Sequence, residues 1–165
     1  MPIVHRSLVT QTEAASPDEA LRHFTAKLSL ETDPSDVAFD LAHGATGFAV
    51  LDARSADAFV DLHVPSAMSL PHARIDAGTV EPLRDKGLLV VYCWSASCNA
   101  ADKAARKLAA LGLRVKVMIG GLEAWVREGY PTEGALSRDV PFERYLRHHH
   151  AEPRGPLSAA GSSRS

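Results

Sequence analysis

The sequence predicts an α/β fold, a small parallel sheet with helices on both faces. Three observations carry that prediction. Three short apolar runs, Phe48 to Leu51, Leu88 to Tyr92 and Leu113 to Ile119, are partly β-branched and bounded by turn residues, as strands are. The last two flank a helical pattern from Asn99 to Leu111, with Ala101, Ala104, Ala105, Leu108 and Leu111 at three- and four-residue spacing and Gly112 as its stop. Strand, helix and strand within about thirty residues form a βαβ unit, which requires parallel strands and a right-handed crossover.

The remaining elements extend this pattern. Ser16-Pro17-Asp18-Glu19 has the chemistry of a capped helix start: Ser16 as cap, Pro17 at the first helical position and Glu19 three residues on. It predicts a short helix to about His23. Asp33-Pro34-Ser35-Asp36 repeats the device, and Val37, Phe39, Asp40 and Leu41 continue a second helix until Gly44 and Gly47. Further helices are predicted over Ala56 to Leu62, Val80 to Lys86 and Leu122 to Glu128. The run Leu88 to Tyr92 is apolar throughout, so it is expected to be a strand buried on both faces.

Composition bounds the function. With 165 residues, 45% hydrophobic and 23% charged, the chain suits one globular domain with tails. The divisions expected are an N-terminal arm over 1–15, the domain over 16–133 and a poorly ordered C-terminal tail over 134–165. That tail carries Pro141, Pro153, Gly155, Pro156 and a closing Ser-Ser-Arg-Ser. Within it Phe142, Tyr145 and Leu146 suit one short helix. His148, His149 and His150 lack carboxylate or cysteine companions, and read as a solvated polar end rather than a metal site. A net charge of -2 provides no basic field for phosphate backbones or anionic lipid, so neither nucleic acid nor membrane is an expected partner. Met1 to Ala15 contains no apolar signal core, and no run approaches the roughly 18 apolar residues of a membrane span. A soluble, cytoplasmic protein is expected.

The two cysteines, Cys93 and Cys98, sit in one short segment, a placement that suits reactivity better than a staple across the fold. Reactive groups of open parallel sheets stand beyond the carboxyl ends of strands, and Val90-Val91-Tyr92-Cys93 ends at such a point. The loop Trp94-Ser95-Ala96-Ser97-Cys98-Asn99 then leads into a helix. Backbone N–H groups of a curled loop and a helix N-terminus favour an anion, so Cys93 is expected to ionise readily. The alternative is a buried, inert cysteine that ends the strand.

Four separated segments together resemble the rhodanese (sulfurtransferase) family. They are Leu51-Asp52-Ala53-Arg54; Phe59 with His63-Val64-Pro65-Ser66-Ala67 and Leu70-Pro71; Val90 to Cys93; and Ile119-Gly120-Gly121-Leu122-Glu123-Ala124-Trp125. The resemblance spans roughly residues 33 to 132. It implies a domain in which Cys93 carries a persulfide from a small-molecule sulfur donor to a thiol, cyanide or protein acceptor, without metal or organic cofactor. Trp94, Ser95, Ala96, Ser97, Cys98 and Asn99 then match the loop whose N–H groups hold the outer sulfur. Asp52 and Arg54 match a supporting acidic and basic pair, with Arg54 also placed to pair with Asp57; a plain surface ion pair is the competing account. His63 matches a histidine that is ordinarily structural, with a catalytic base as the lesser alternative. Gly120 and Gly121 suit a tight strand-to-helix turn, and Trp125 suits the core.

Three departures from the family matter. Residues 94 to 98 contain no Arg or Lys, so anion binding is expected to rest on N–H groups and the helix dipole. The loop is about two residues longer than the short family loop, because two extra residues within the helix would turn its apolar face by about 200°. That length leaves open a phosphatase- or arsenate-reductase-like relative, although the arginine such relatives carry at the loop's end is absent. Finally, Cys98 stands near enough to form a disulfide if the Cα atoms approach within about 7 Å, which keeps open a thiol redox sensor. A non-catalytic binding module is disfavoured by the retained Cys93.

Overall fold

The computed structural model describes residues 7–137. In chain order the elements are α1 (Pro17–Leu30), β1 (Glu31–Thr32), α2 (Pro34–Ala42), β2 (Phe48–Asp52), α3 (Ala56–Asp61), β3 (Met68–Ser69), β4 (Leu88–Tyr92), α4 (Ala100–Ala110), β5 (Arg114–Met118) and α5 (Gly121–Arg127). The five strands form one parallel sheet in the order β1-β5-β4-β2-β3. This is the α/β architecture expected.

Both predicted caps are made. The Ser16 hydroxyl accepts the Glu19 N–H while the Glu19 carboxylate accepts the Ser16 N–H, and the Asp33 carboxylate accepts the Asp36 N–H at 2.8 Å. Helix α1 runs to Leu30 instead of stopping near His23, because no breaker interrupts the chain until it turns extended at Glu31. The segment predicted as a helix from Val80 is a 3-10 turn over Glu81–Lys86. 3-10 geometry suits such a short connector.

β4 lies between β2 and β5 and is almost wholly buried. Its alternate side chains enter two cores. Val90 and Tyr92 pack with Val37, Leu62, Leu122 and Trp125. Leu89, Val91 and Cys93 pack with Ala101, Ala104 and Leu108 of α4. The sheet is thus covered on both faces, as a parallel sheet must be.

Composition misplaces the domain's end. The N–H groups of Ala135 and Leu136 donate to the carbonyls of Val60 and Asp61 at 2.9 and 2.8 Å, so residues 134–137 belong to the packed body rather than to a tail. The backbone pairing responsible is invisible in composition. Phe142, Tyr145, Leu146 and His148 to His150 lie outside the described residues. Among the described residues no helix is long and apolar enough to cross a membrane, and no group of three or more His, Cys, Asp or Glu is placed to hold a metal.

Candidate active site

Cys93 follows the central strand directly, and its backbone is clamped from the α5 side. The Cys93 and Trp94 carbonyls accept the N–H groups of Leu122 and Glu123 at 3.0 and 2.8 Å. These donors belong to the first turn of α5, where N–H groups lack partners within the helix. Close approach depends on Gly121, whose φ is +62°. A Cβ there would lie 2.7 Å from the carbonyl carbon and oxygen of Trp94 and closer still to the Cys93 oxygen. The predicted tight turn at Gly120 and Gly121 is therefore also the floor of the cysteine loop.

The loop curls at its far end. The Cys98 N–H donates to the Ser95 carbonyl at 3.0 Å, and the Ser95 and Ser97 hydroxyls lie 3.0 Å apart. Cys93 Sγ donates to the Cys98 carbonyl at 2.8 Å. Cys93 is 3% exposed, while Cys98 is half-buried; both are free thiols.

These surroundings reverse the acidity expected from position alone. Burial pushes the Cys93 thiol up to about 11, and donation to Cys98 adds to that; the N–H groups of Ala101 and Ser95 offset it only in part. At Cys98 burial also opposes ionisation. There it is outweighed by the Ala100 N–H, the Cys93 thiol, the Trp94 N–H and the Lys103 charge, which hold the group below its ordinary value. The expectation that Cys93 itself ionises readily is thus corrected: burial raises its thiol, and Cys98 is the more acidic of the two.

Both sulfurs open on a cleft of about 170 Å³, lined by Cys93, Ser95, Ala96 and Cys98 of the loop. Ala101 and Asp102 of α4, Glu31 of β1, and residues from Val117 to Gly120 close it. Three predicted loop residues lie elsewhere. The Trp94 ring enters the core beside Tyr92, Ser97 is exposed, and Asn99 faces a neighbouring groove along α4. Glu31 and Asp102 were not foreseen. Their strand is two residues long or their neighbourhood tertiary, so neither carries a sequence signal.

Asp52 and Arg54 form a buried brace beneath the site, not a surface pair. Asp52 is fully buried, and Arg54 Nη2 meets its carboxylate at 2.6 Å. Arg54 Nη2 also donates to the carbonyls of Ala58 and Leu62 towards the end of α3, where a cation suits the helix dipole. Asp52 is the acidic partner that the resemblance implies for Arg54, and its carboxylate lies on the inward side of the strand end. The Tyr92 hydroxyl joins the group, accepting the Val64 N–H at 3.1 Å and donating to Asp52. Burial and the Asp52 charge hold that phenol protonated. Asp52 pairs in register with Tyr92, so the brace fixes the residue before Cys93.

His63 and Trp125 are structural, as their matches imply. His63 Nδ1 donates to the Phe59 carbonyl at 2.7 Å and its ring stacks on Phe59 at 3.8 Å. Its Nε2 lies 3.5 Å from the Glu133 carboxylate, and it does not line the cysteine cleft. Trp125 is 1% exposed and donates to the Pro131 carbonyl at 2.8 Å.

The family model of the rhodanese-like domain matches residues 36–128. The chain belongs to the rhodanese-like domain family. Its fold is similar to that of the BH2092 protein from Bacillus halodurans, with a TM-score of 0.72 and 40% identity over 81% of this chain and 98% of that one. A thiosulfate sulfurtransferase from Pseudomonas aeruginosa is 30% identical over 66% of this chain and 20% of its own, with a TM-score of 0.57. The rhodanese-like domain of the Anabaena Alr3790 protein, at 23% identity and a TM-score of 0.59, covers 82% of this chain and 96% of that domain and shares the fold. No curated protein matches the chain. Within this rhodanese-like domain, the cysteine at the end of the central strand and the loop after it line the cleft described above.

Proposed function

We propose that this rhodanese-like domain is a sulfurtransferase that carries sulfur as a persulfide on Cys93. The observation that carries the reading is the placement of the buried Cys93 thiol at the end of the central strand, opening on one cleft with Cys98, the more acidic thiol. Cys98 as thiolate takes the Cys93 proton as Cys93 attacks, which supplies the base that the loop otherwise lacks. With thiosulfate, the Cys93 thiolate attacks the outer sulfur, the sulfur–sulfur bond breaks and sulfite leaves with the bonding pair. The persulfide then gives its outer sulfur to a second nucleophile. Cyanide yields thiocyanate, a thiol yields its own persulfide, and Cys93 returns as thiolate.

The cleft favours a donor other than thiosulfate. It is lined by the acidic residues Glu31 and Asp102 and by no Lys or Arg, so a dianion meets like charge there. An organic persulfide, with one charge and a neutral body, meets less. Mixing the protein with thiosulfate or an organic persulfide and cyanide should give thiocyanate, faster with the persulfide. Cys93→Ser should abolish it, and the unmodified protein should gain the mass of one sulfur at Cys93. Equal turnover in Cys93→Ser overturns the assignment.

The two free thiols on one cleft also favour a second reading, a redox sensor in which peroxide oxidises both to a Cys93–Cys98 disulfide and is reduced to water. Rapid loss of two thiols with peroxide, together with no turnover on any sulfur donor, selects that reading.

A further inference from the structure

Beside the cysteine cleft lies a larger groove between α4 and the 3-10 turn His72–Arg74. It is lined by His72, Ala73, Asn99, Asp102, Lys103, Arg106 and Lys107 and encloses about 740 Å³, against about 170 Å³ for the cleft. Only the larger volume falls within the roughly 300–1,000 Å³ of ordinary small-molecule sites. Three cations and one carboxylate line it. Lys103, Arg106 and Lys107 stand three and four residues apart, so all three project from one face of α4.

Like charges at that spacing oppose helix formation unless an anion offsets them. Lys107 is held in place, its Nζ donating to the His72 carbonyl at 2.8 Å. Among the described residues Lys103 and Arg106 make no ion pair. The cluster is therefore cationic on balance, three side chains against the Asp102 carboxylate in the groove and Asp76 near Lys107. It is also joined to the thiols: Asp102 lines both cavities, Asn99 follows Cys98 directly, and the Lys103 charge acts on the Cys98 sulfur.

We propose that the groove binds the carboxylates of a small polyanionic thiol, which presents its sulfur to the cysteine cleft as the acceptor of the Cys93 persulfide. The inference rests on the persulfide reading and adds the class of acceptor. Thiosulfate or cyanide would leave the groove empty, and a neutral thiol would gain nothing from its cations. A thiol bearing two or more carboxylates occupies both spaces, with its acidic end on Lys103 and Arg106 and its sulfur beyond Asp102. Transfer is balanced, because the acceptor thiolate takes the outer sulfur as its own persulfide and leaves Cys93 as thiolate.

The test uses the full chain carrying one sulfur on Cys93. Its discharge is followed by mass with mercaptosuccinate, which has two carboxylates, and with neutral 2-mercaptoethanol. The wild type should prefer mercaptosuccinate in kcat/KM relative to the Lys103→Ala/Arg106→Ala double variant. The ratio of the two acceptors should fall about tenfold in that variant, the size expected from losing two surface charge contacts. In parallel, sulfur-free tricarballylate is titrated into the unloaded protein while backbone amide resonances are recorded. It should shift amides of α4 in the wild type and not in the variant. An acceptor ratio unchanged by the double variant, or no α4 shifts with tricarballylate, overturns the groove. If no acceptor discharges the protein but tricarballylate shifts α4, the persulfide reading fails while the anion site stands.

Discussion

Gly121 stands against the carbonyl group of Cys93, so the strand that ends at this cysteine and the helix that clamps it meet at a point with no room for a side chain. Gly121→Ala should therefore do two kinds of harm. An alanine at φ +62° is strained, and its Cβ must push the Cys93–Trp94 carbonyls away from the Leu122 and Glu123 donors. A loss of about 2–4 kcal/mol in urea unfolding is expected, together with reduced thiocyanate production by the folded variant. Gly112→Ala is the control. It has φ +81° but nothing within 4 Å of the added Cβ, so about 1–2 kcal/mol should be lost and turnover kept. Equal turnover in both variants would remove Gly121 from the account of the site.

The two cysteines should alkylate in the order opposite to their expected roles. Thiolate is the reacting form, so each rate rises with pH through that group's own titration. Cys98 should react with iodoacetamide below the pH at which an ordinary thiol does, and Cys93 should lag until pH approaches about 11. Peptide mapping after timed quenching at pH 7 and pH 10 reads both. In Cys98→Ser the Cys93 rate at pH 10 should rise, because Cys98 raises the Cys93 thiol both as hydrogen-bond partner and as charge. Cys93 labelling first in the wild type would contradict that order of acidity.

Arg54→Met leaves Asp52 buried without its cation and releases the carbonyls of Ala58 and Leu62. Removing one partner of a buried ion pair costs about 3–5 kcal/mol, because the other charge stays out of water. That loss is expected at pH 7 from denaturant titration. Asp52→Asn/Arg54→Met removes both charges and should recover part of it. A loss below about 1 kcal/mol for Arg54→Met would return the pair to the surface class.

What the sequence made legible and what it hid separate along physical lines. The caps at Ser16 and Asp33, the α4 stripe and the buried run of β4 are local devices, and each sits where its residues indicate. β1 and β3 are two-residue edge strands, too short for any periodicity, and they exist through pairing with β5 and β2. Asp52 and Arg54 were legible as an acidic and basic pair, but their burial was not, since it depends on the chain packed around the strand end. The cysteine loop was recognisable as a site. Which thiol holds the proton was not, since that depends on burial and on N–H groups supplied by the folded chain.

His63 provides the last separation of support from chemistry. A general base must come within hydrogen-bond reach of the proton it takes, and His63 instead holds Phe59 and Glu133. The His63 and Glu133 backbones also exchange N–H bonds at 2.8 and 2.9 Å, tying the chain beyond α5 back to the loop after α3. His63→Ala removes the stacking and the side-chain bond to Phe59 but leaves those backbone bonds. A loss of about 1–2 kcal/mol in unfolding is expected, with the thiocyanate rate of the folded variant unchanged. A stable variant with a collapsed rate would place His63 in the reaction and require a conformation in which it leaves Phe59 for Cys93.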